Sequence, residues 1–287
     1  MRWPPFQHVF FDCDSTLTQV EGIDVLAESV GKKWRVEVLT RAAMDGELDL
    51  EEVYGKRLQA IKPTRGQVYH IRQVYKEFMV ADARPVIAAL QWLGHDVYII
   101  SGGLAEPVIE FGLYLGVPRH HIRAVDLWYN RLNGQWWEQG DNDLPAGDKY
   151  LDYHNGALTI SDGKAQIVRE LLGNQPGRAL LVGDGSSDLL AGRAVDLFVG
   201  FGGVVTRPRV LAQAPTFVHS PSLAPLLALA CGPAGLRQLE RTAFAQIAEK
   251  SFDLISTGAI TFQDERLNDK FNEAISASHQ TFYSGAH

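Results

Sequence analysis

The stretch His8-Val9-Phe10-Phe11-Asp12-Cys13-Asp14-Ser15-Thr16 constrains this chain more than any other. A short apolar run stops abruptly at two aspartates in positions i and i+2, followed by two small hydroxyl residues. Such a run, ended by a polar turn, predicts a strand buried on both faces, as in a parallel sheet. Successive residues of an extended chain alternate sides, so Asp12 and Asp14 leave the strand tip in the same direction. Two carboxylates held that close repel unless a cation or a shared proton lies between them. Open parallel sheets bind ligands at the carboxyl ends of their strands. The hard, oxygen-seeking ion Mg²⁺ suits paired carboxylates there. Phosphate chemistry is the expectation.

Three further segments extend the pattern. Asp96-Val97-Tyr98-Ile99-Ile100 reads as a second buried strand ending at Ser101-Gly102-Gly103, and Ala179-Leu180-Leu181-Val182 as a third ending at Gly183-Asp184-Gly185-Ser186-Ser187-Asp188. Between them Lys164 opens a helical pattern carried by Ile167, Val168, Leu171 and Leu172. Taken singly, an aspartate at a strand end is commonly a turn or cap residue. Four motifs in order, each where an α/β sheet presents its site, form a set. A carboxylate nucleophile splits phosphoester hydrolysis through an aspartyl-phosphate, and Asp12 is the candidate. Asp14 then protonates the leaving alkoxide and takes a proton from the attacking water. Ser101 and the N–H groups of Gly102 and Gly103 suit a phosphate cradle, because glycine lets the backbone come close. Lys164 adds a point charge on the same oxygens, and Asp188 orients Lys164 or metal-bound water. The glycines around 183–185 and 200–203 lack the spacing of a dinucleotide fingerprint.

The ordered set resembles the haloacid-dehalogenase superfamily and, within it, the phosphoserine phosphatases. Glu21-Gly22-Ile23-Asp24, Thr40-Arg41-Ala42-Ala43-Met44-Asp45-Gly46, Arg57-Leu58 and Gly200-Phe201-Gly202-Gly203 also match that family, across roughly residues 6 to 225. The resemblance implies that Mg²⁺ is held by the Asp12 carboxylate, the Asp14 backbone carbonyl and Asp184. It further implies that Arg57 grips a substrate carboxylate, that Glu21 pairs with an ammonium and that Met44 covers the apolar side. From position alone Arg57 reads as a solvated helix residue and Glu21 as a surface acid. Ser187 departs from the family pattern, in which many relatives carry Asn; it is a shorter substrate contact. The activity implied is Mg²⁺-dependent hydrolysis of O-phospho-L-serine. The alternatives are another small phosphomonoester, transfer of the phosphoryl group to an alcohol, or a silent binding protein on the same fold.

Composition narrows the partners. The formal net charge of −7 over 287 residues argues against a nucleic-acid binder, which needs a basic stripe. No apolar stretch approaches the roughly 20 residues of a membrane span. Met1-Arg-Trp-Pro-Pro runs straight into the first strand, so no signal or transit peptide is expected. Two distant cysteines fit a reducing cytoplasm. Cys13 sits between the two aspartates but points into the fold. The expected partner is a small-molecule phosphomonoester, with no nucleic acid and no membrane, on a monomer or homodimer.

The expected fold is α/β: a Rossmann-like core with a parallel sheet, split in sequence over 1–20 and 80–232. A helical cap over 21–79 is inserted after the first strand, its apolar positions at helical spacing and a fresh helix start at Pro63-Thr64. Asn133-Gly134, flanked by Leu127-Trp128-Tyr129 and Trp136-Trp137, predicts a tight hairpin. Gly140 to Asp162 reads as a long loop. Residues 233–287 fall outside the family pattern. They read as a helical extension of two amphipathic helices joined at Thr257-Gly258, packed on the chain's own core.

Overall fold

The computed structural model describes residues 3–44, 47–130 and 147–284. Strand β1 (His8–Phe11) is buried at every position and lies inside the sheet, third of its seven strands. Beside it run β2 (Asp96–Leu104) and β6 (Ala179–Gly183), both parallel to it. Beyond these lie β3 (Ile122–Val125) on one side and β7 (Leu197–Phe201), β8 (Thr216–Val218) and β9 (Ile260–Phe262) on the other, giving the order β3-β2-β1-β6-β7-β8-β9. Every pairing is parallel except β8 with β9. The all-apolar strands follow from helices covering both faces. Register sets the site: Phe11 pairs with Ile99 and with Val182, so β1 and β6 end within one residue of each other while β2 runs on past them to Leu104.

Four helices intervene between β1 and β2: α1 (Gly22–Ser29), α2 (Lys33–Met44), α3 (Leu50–Ile61) and α4 (Arg65–Glu77). Thr64 caps α4, its hydroxyl accepting from the Gln67 N–H while the Gln67 side chain accepts from the Thr64 N–H. The chain leaves the sheet and returns through one neck. There Thr18 bridges Met79, and the Gln19 N–H donates to the Phe78 carbonyl at 2.8 Å. Helix α5 (Ala83–Trp92) leads into β2 and α6 (Ala105–Tyr114) leaves it. Further on, α7 (Lys164–Leu172) precedes β6, α8 (Ser186–Ala191) follows it, and α9 (Pro208–Gln213) follows β7.

Three expectations need correction. Strand β2 does not stop at Ile100; it continues to Leu104, with its register against β3 shifting after Ile100. The Ser-Gly-Gly motif therefore lies on extended backbone rather than in a turn. Second, β4 (Leu127–Asn130) pairs antiparallel with β5 (Lys149–Tyr153), and Asn130 faces Lys149. The long loop read over Gly140 to Asp162 therefore holds a strand, while the hairpin turn at Asn133-Gly134 and Trp136-Trp137 lie outside the described residues. The partner comes from the segment read as a loop, where Tyr150 and Tyr153 supply strand-favouring aromatics among Asp, Gly and Asn.

Third, the C-terminal segment is not purely helical. After α10 (Ala224–Leu239), which bends at Gly232 (φ 65°), and α11 (Ala245–Ser256), the chain adds β9 to the sheet before α12 (Glu265–Ser284). Ile260-Thr261-Phe262 is too short to show a strand period, and Thr257-Gly258 masks it as a helix linker. Phe271 on α12 is fully buried, edge-on to Trp3 with ring centroids 4.8 Å apart. Burying such a ring contributes about 1.5–3 kcal/mol, which ties the end of the chain to its beginning.

Candidate active site

The ends of β1 and β6, with β2 running on beside them, gather the predicted residues. The Asp12 N–H donates to the Val182 carbonyl at 2.9 Å, so Asp12 leaves β1 directly beside the tip of β6. Lys164, at the start of α7, bridges two carboxylates: its Nζ lies 2.8 Å from Asp12 Oδ1 and 2.6 Å from Asp188 Oδ1. Asp188 Oδ2 accepts from the Gly185 N–H at 3.1 Å, which closes the first turn of α8. Asp184 Oδ2 accepts from Arg207 Nε at 2.8 Å, and Oδ1 lies 3.4 Å from the Thr16 hydroxyl. The Ser101 Oγ accepts from the Gly103 N–H at 2.9 Å. A Cβ at Gly103 would sit 3.2 Å from Asp14 Oδ2, so only glycine leaves ordinary room between cradle and acid.

Asp14 takes its hydrogen bonds from the helical segment rather than from this group. Its Oδ1 accepts from the Tyr75 hydroxyl, and its Oδ2 from the Gly22 N–H at 3.3 Å. The turn that follows is strained, with Ser15 left-handed at φ 55°. That twist carries the Ser15 hydroxyl to Glu21 Oε1, 2.7 Å away. Cys13 is wholly buried among apolar side chains, and burial followed by Asp14 raises its thiol well above the usual range.

A cavity of about 170 Å³ opens over these groups. Asp12, Asp14, Ser101, Gly102, Gly103, Lys164 and Ser187 line its sheet side; Glu21, Tyr54, Arg57 and Leu58 line its helical side. Asp184 and Asp188 are buried behind the lining. The side chain of Met44 lies outside the described residues. Arg57 is only 4% exposed, contrary to the solvated helix residue that position alone suggests. Its Nη1 donates to Thr40 Oγ1 at 3.2 Å and its guanidinium lies over the Tyr54 ring, while its buried Nε has no hydrogen-bond partner among the described residues. Tyr54 in turn donates to the Gly102 carbonyl at 2.9 Å, tying the helical side to the cradle. Glu21 is not a free surface acid either, since Arg207 Nη2 reaches its Oε1 at 3.4 Å.

The carboxylates carry more negative charge than the cations beside them offset. Burial raises Asp12, with Asp188 adding to the push and Lys164 opposing it. Burial and then Glu21 push Asp14 up to about 8, against the hydrogen bonds from Tyr75 and Gly22. Burial also pushes Asp184 up to about 7, with Arg207 pulling the other way. Burial alone would lower Lys164, but Asp12 and Asp188 outweigh it and hold the ammonium protonated. Among the described residues, oxygens of Asp12, Asp184 and Asp188 lie within 4.8 Å of one another. Buried, converging hard oxygens are the donor set that suits a divalent cation, and the raised proton affinity of Asp12 and Asp184 shows how strongly that pair calls for positive charge.

No family model matches the chain. A phosphoserine phosphatase of Drosophila melanogaster is 31% identical over 214 residues, covering 74% of each chain. One of Mus musculus is 30% identical over 211 residues, 73% of this chain and 88% of that protein. The chain belongs to the phosphoserine phosphatase family. The fold agrees: a solved phospho-aspartyl intermediate analogue of a phosphoserine phosphatase superposes with a TM-score of 0.65 at 22% identity, over 78% of this chain and 98% of that one. No helix among the described residues of this family member is long and apolar enough to cross a membrane.

Sequence reasoning missed Tyr54, Tyr75 and Arg207. Tyr75 was legible only as part of the apolar stripe Val68, Ile71, Tyr75 on α4, where a phenol reads like any other core ring. Arg207 opens α9 from a turn, 23 residues from Asp184, and carries no local motif.

Proposed function

We propose that this chain hydrolyses O-phospho-L-serine to L-serine and phosphate through an aspartyl-phosphate on Asp12. The observation that carries the reading is Arg57, a buried guanidinium whose Nε has no partner among the described residues, on the wall of the same cavity as the Lys164 and Ser101 pair. A substrate with phosphate at one end and carboxylate at the other satisfies both. The four helices over 21–79 act as a cap on a core of 1–20 and 80–232, with 233–287 packed on that core.

Ser101, the N–H groups of Gly102 and Gly103, and Lys164 hold the phosphoryl oxygens, with Ser187 at the edge. Asp188 keeps the Lys164 ammonium on its oxygens. In the first half-reaction the bond from an Asp12 oxygen to phosphorus forms and the bond from phosphorus to the serine oxygen breaks. The proton on Asp14 passes to that departing oxygen. In the second, a water oxygen bonds to phosphorus, its proton returns to Asp14, and the Asp12–phosphorus bond breaks. The Asp12 carboxylate, the Asp14 backbone carbonyl and Asp184 would hold Mg²⁺, which when bound would supply charge neutralisation at the reacting phosphoryl group. Glu21 receives the substrate ammonium and Met44 covers its apolar side.

A panel of phosphomonoesters assayed with Mg²⁺ tests the reading. Phosphoserine should show the highest kcat/KM, and esters lacking the carboxylate the lowest. Preference for an ester without a carboxylate would assign the site to another small phosphomonoester. Phosphorylated alcohol accumulating in place of free phosphate would make it a phosphotransferase.

A further inference from the structure

We infer that Tyr75, on the helical segment, is a positioning residue that fixes Asp14 Oδ1, so that Oδ2 is the oxygen that exchanges the proton. The inference rests on the proposed acid–base role of Asp14. The two carboxylate oxygens are not equivalent. Oδ1 accepts from the Tyr75 hydroxyl, whereas Oδ2 is turned toward Gly103 of the cradle and has only the longer 3.3 Å contact from the Gly22 N–H. Both donors come from the helical segment, Gly22 at the first turn of α1 and Tyr75 near the last turn of α4. No hydrogen bond from the sheet to this carboxylate is seen among the described residues.

Two independent features show that the hydroxyl is placed rather than incidental. Tyr75 is fully buried, and its ring is held edge-on to Phe111 at 5.6 Å, which fixes where the hydroxyl points. A Cβ at residue 22 would overlap the Tyr75 hydroxyl, so glycine at the head of α1 makes the space that this oxygen fills. A purely packing role for Tyr75 would need neither the hydroxyl nor the gap. A carboxylate held by one oxygen presents the other in a fixed direction, and general acid catalysis depends on that direction.

The test compares leaving groups. Departing serine is a strongly basic alkoxide that needs a proton, and p-nitrophenolate is weakly basic and does not. Tyr75→Phe keeps the ring and removes only the hydroxyl. Its kcat/KM should fall at least about tenfold on phosphoserine and less than about threefold on p-nitrophenyl phosphate. Gly22→Ala, which displaces the hydroxyl without deleting it, should show the same split. The double variant should be no worse than the poorer single. With Phe at 75, the nearest atom to the new Cβ is a ring carbon at 3.2 Å, and effects through one shared group do not add. Equal losses on both substrates, or additive losses in the double variant, would mean that the pair only supports packing. Asp14→Asn separates the two levels. If it keeps phosphoserine turnover, the acid–base assignment itself fails. If it abolishes turnover while Tyr75→Phe matches the unaltered chain, the positioning role alone is overturned.

Discussion

Arg207 Nε donates to Asp184 Oδ2 across 2.8 Å, and the same guanidinium reaches Glu21 Oε1 at 3.4 Å. One cation thus joins the turn after β7, the tip of β6 and the head of α1. Removing one partner of a buried ion pair costs about 3–5 kcal/mol, because the remaining charge is stranded. Arg207→Ala should therefore lower the thermal midpoint of the metal-free protein. Mg²⁺ supplies replacement positive charge near Asp184, so saturating Mg²⁺ should recover part of the loss. Thermal unfolding with and without Mg²⁺ checks this. A deficit equal in both conditions would mean that Arg207 acts apart from the acidic site.

The carboxylates predict a pH-dependent stability. Asp14 at about 8, Asp184 at about 7 and Asp12, also raised, all lie above the ordinary aspartate value of 3.8. Between those limits the folded chain binds more protons than the unfolded one. Their contribution is therefore fully present below pH 3.8 and is lost as pH rises through 7 to 8. A divalent ion binds the deprotonated form, so its stabilisation should grow over the same interval with release of protons. Midpoints in EDTA and in Mg²⁺, taken between about pH 5 and pH 8.5, should diverge as pH rises. A constant gap would show that these groups are ionised throughout. Activity should vanish in EDTA and return with Mg²⁺.

What the sequence made legible was whatever a single strand or helix encodes. Asp12 and Asp184 are readable because an apolar run and its polar stop define a strand tip, and parallel sheets align their tips; Ser101 is readable from the same polar stop, although β2 runs on through it to Leu104. Lys164 is readable as the start of a helix. Tyr75 and Arg207 were not, because their partners come from other elements: 61 residues separate Tyr75 from Asp14, and 23 separate Arg207 from Asp184. Strand β9 escaped for a different reason. Three residues at a sheet edge owe their conformation to pairing with β8 rather than to any pattern of their own.

Asp12→Asn is expected to abolish turnover and phosphoenzyme formation while the chain stays folded. Asparagine keeps the shape of the side chain, and Lys164 retains Asp188 at 2.6 Å as a charged partner. The amide is a poor nucleophile, so the first half-reaction stops. Acid quench of a reaction with radiolabelled phosphoserine should show label on the unaltered protein and none on the variant. Label retained on the variant would move the nucleophile elsewhere.

The recognition of the substrate carboxylate gives a prediction with two readouts. Arg57 is buried, with Thr40 accepting from Nη1, Tyr54 under one face of the guanidinium, and Nε unpaired among the described residues. An arginine so fixed is pre-organised for a bidentate carboxylate contact. Arg57→Ala should cost about 2–5 kcal/mol of phosphoserine binding. That is roughly 30-fold to several-thousand-fold in kcat/KM, with most of the change in KM. p-Nitrophenyl phosphate has no carboxylate, and the cradle of Ser101 and Lys164 is untouched, so its kcat/KM should change far less. Steady-state kinetics on both substrates decide the matter. Parallel losses would mean that Arg57 maintains the cap through Thr40 and Tyr54 rather than gripping substrate. If phosphoserine were unaffected, the carboxylate would have to be bound elsewhere on the cavity wall.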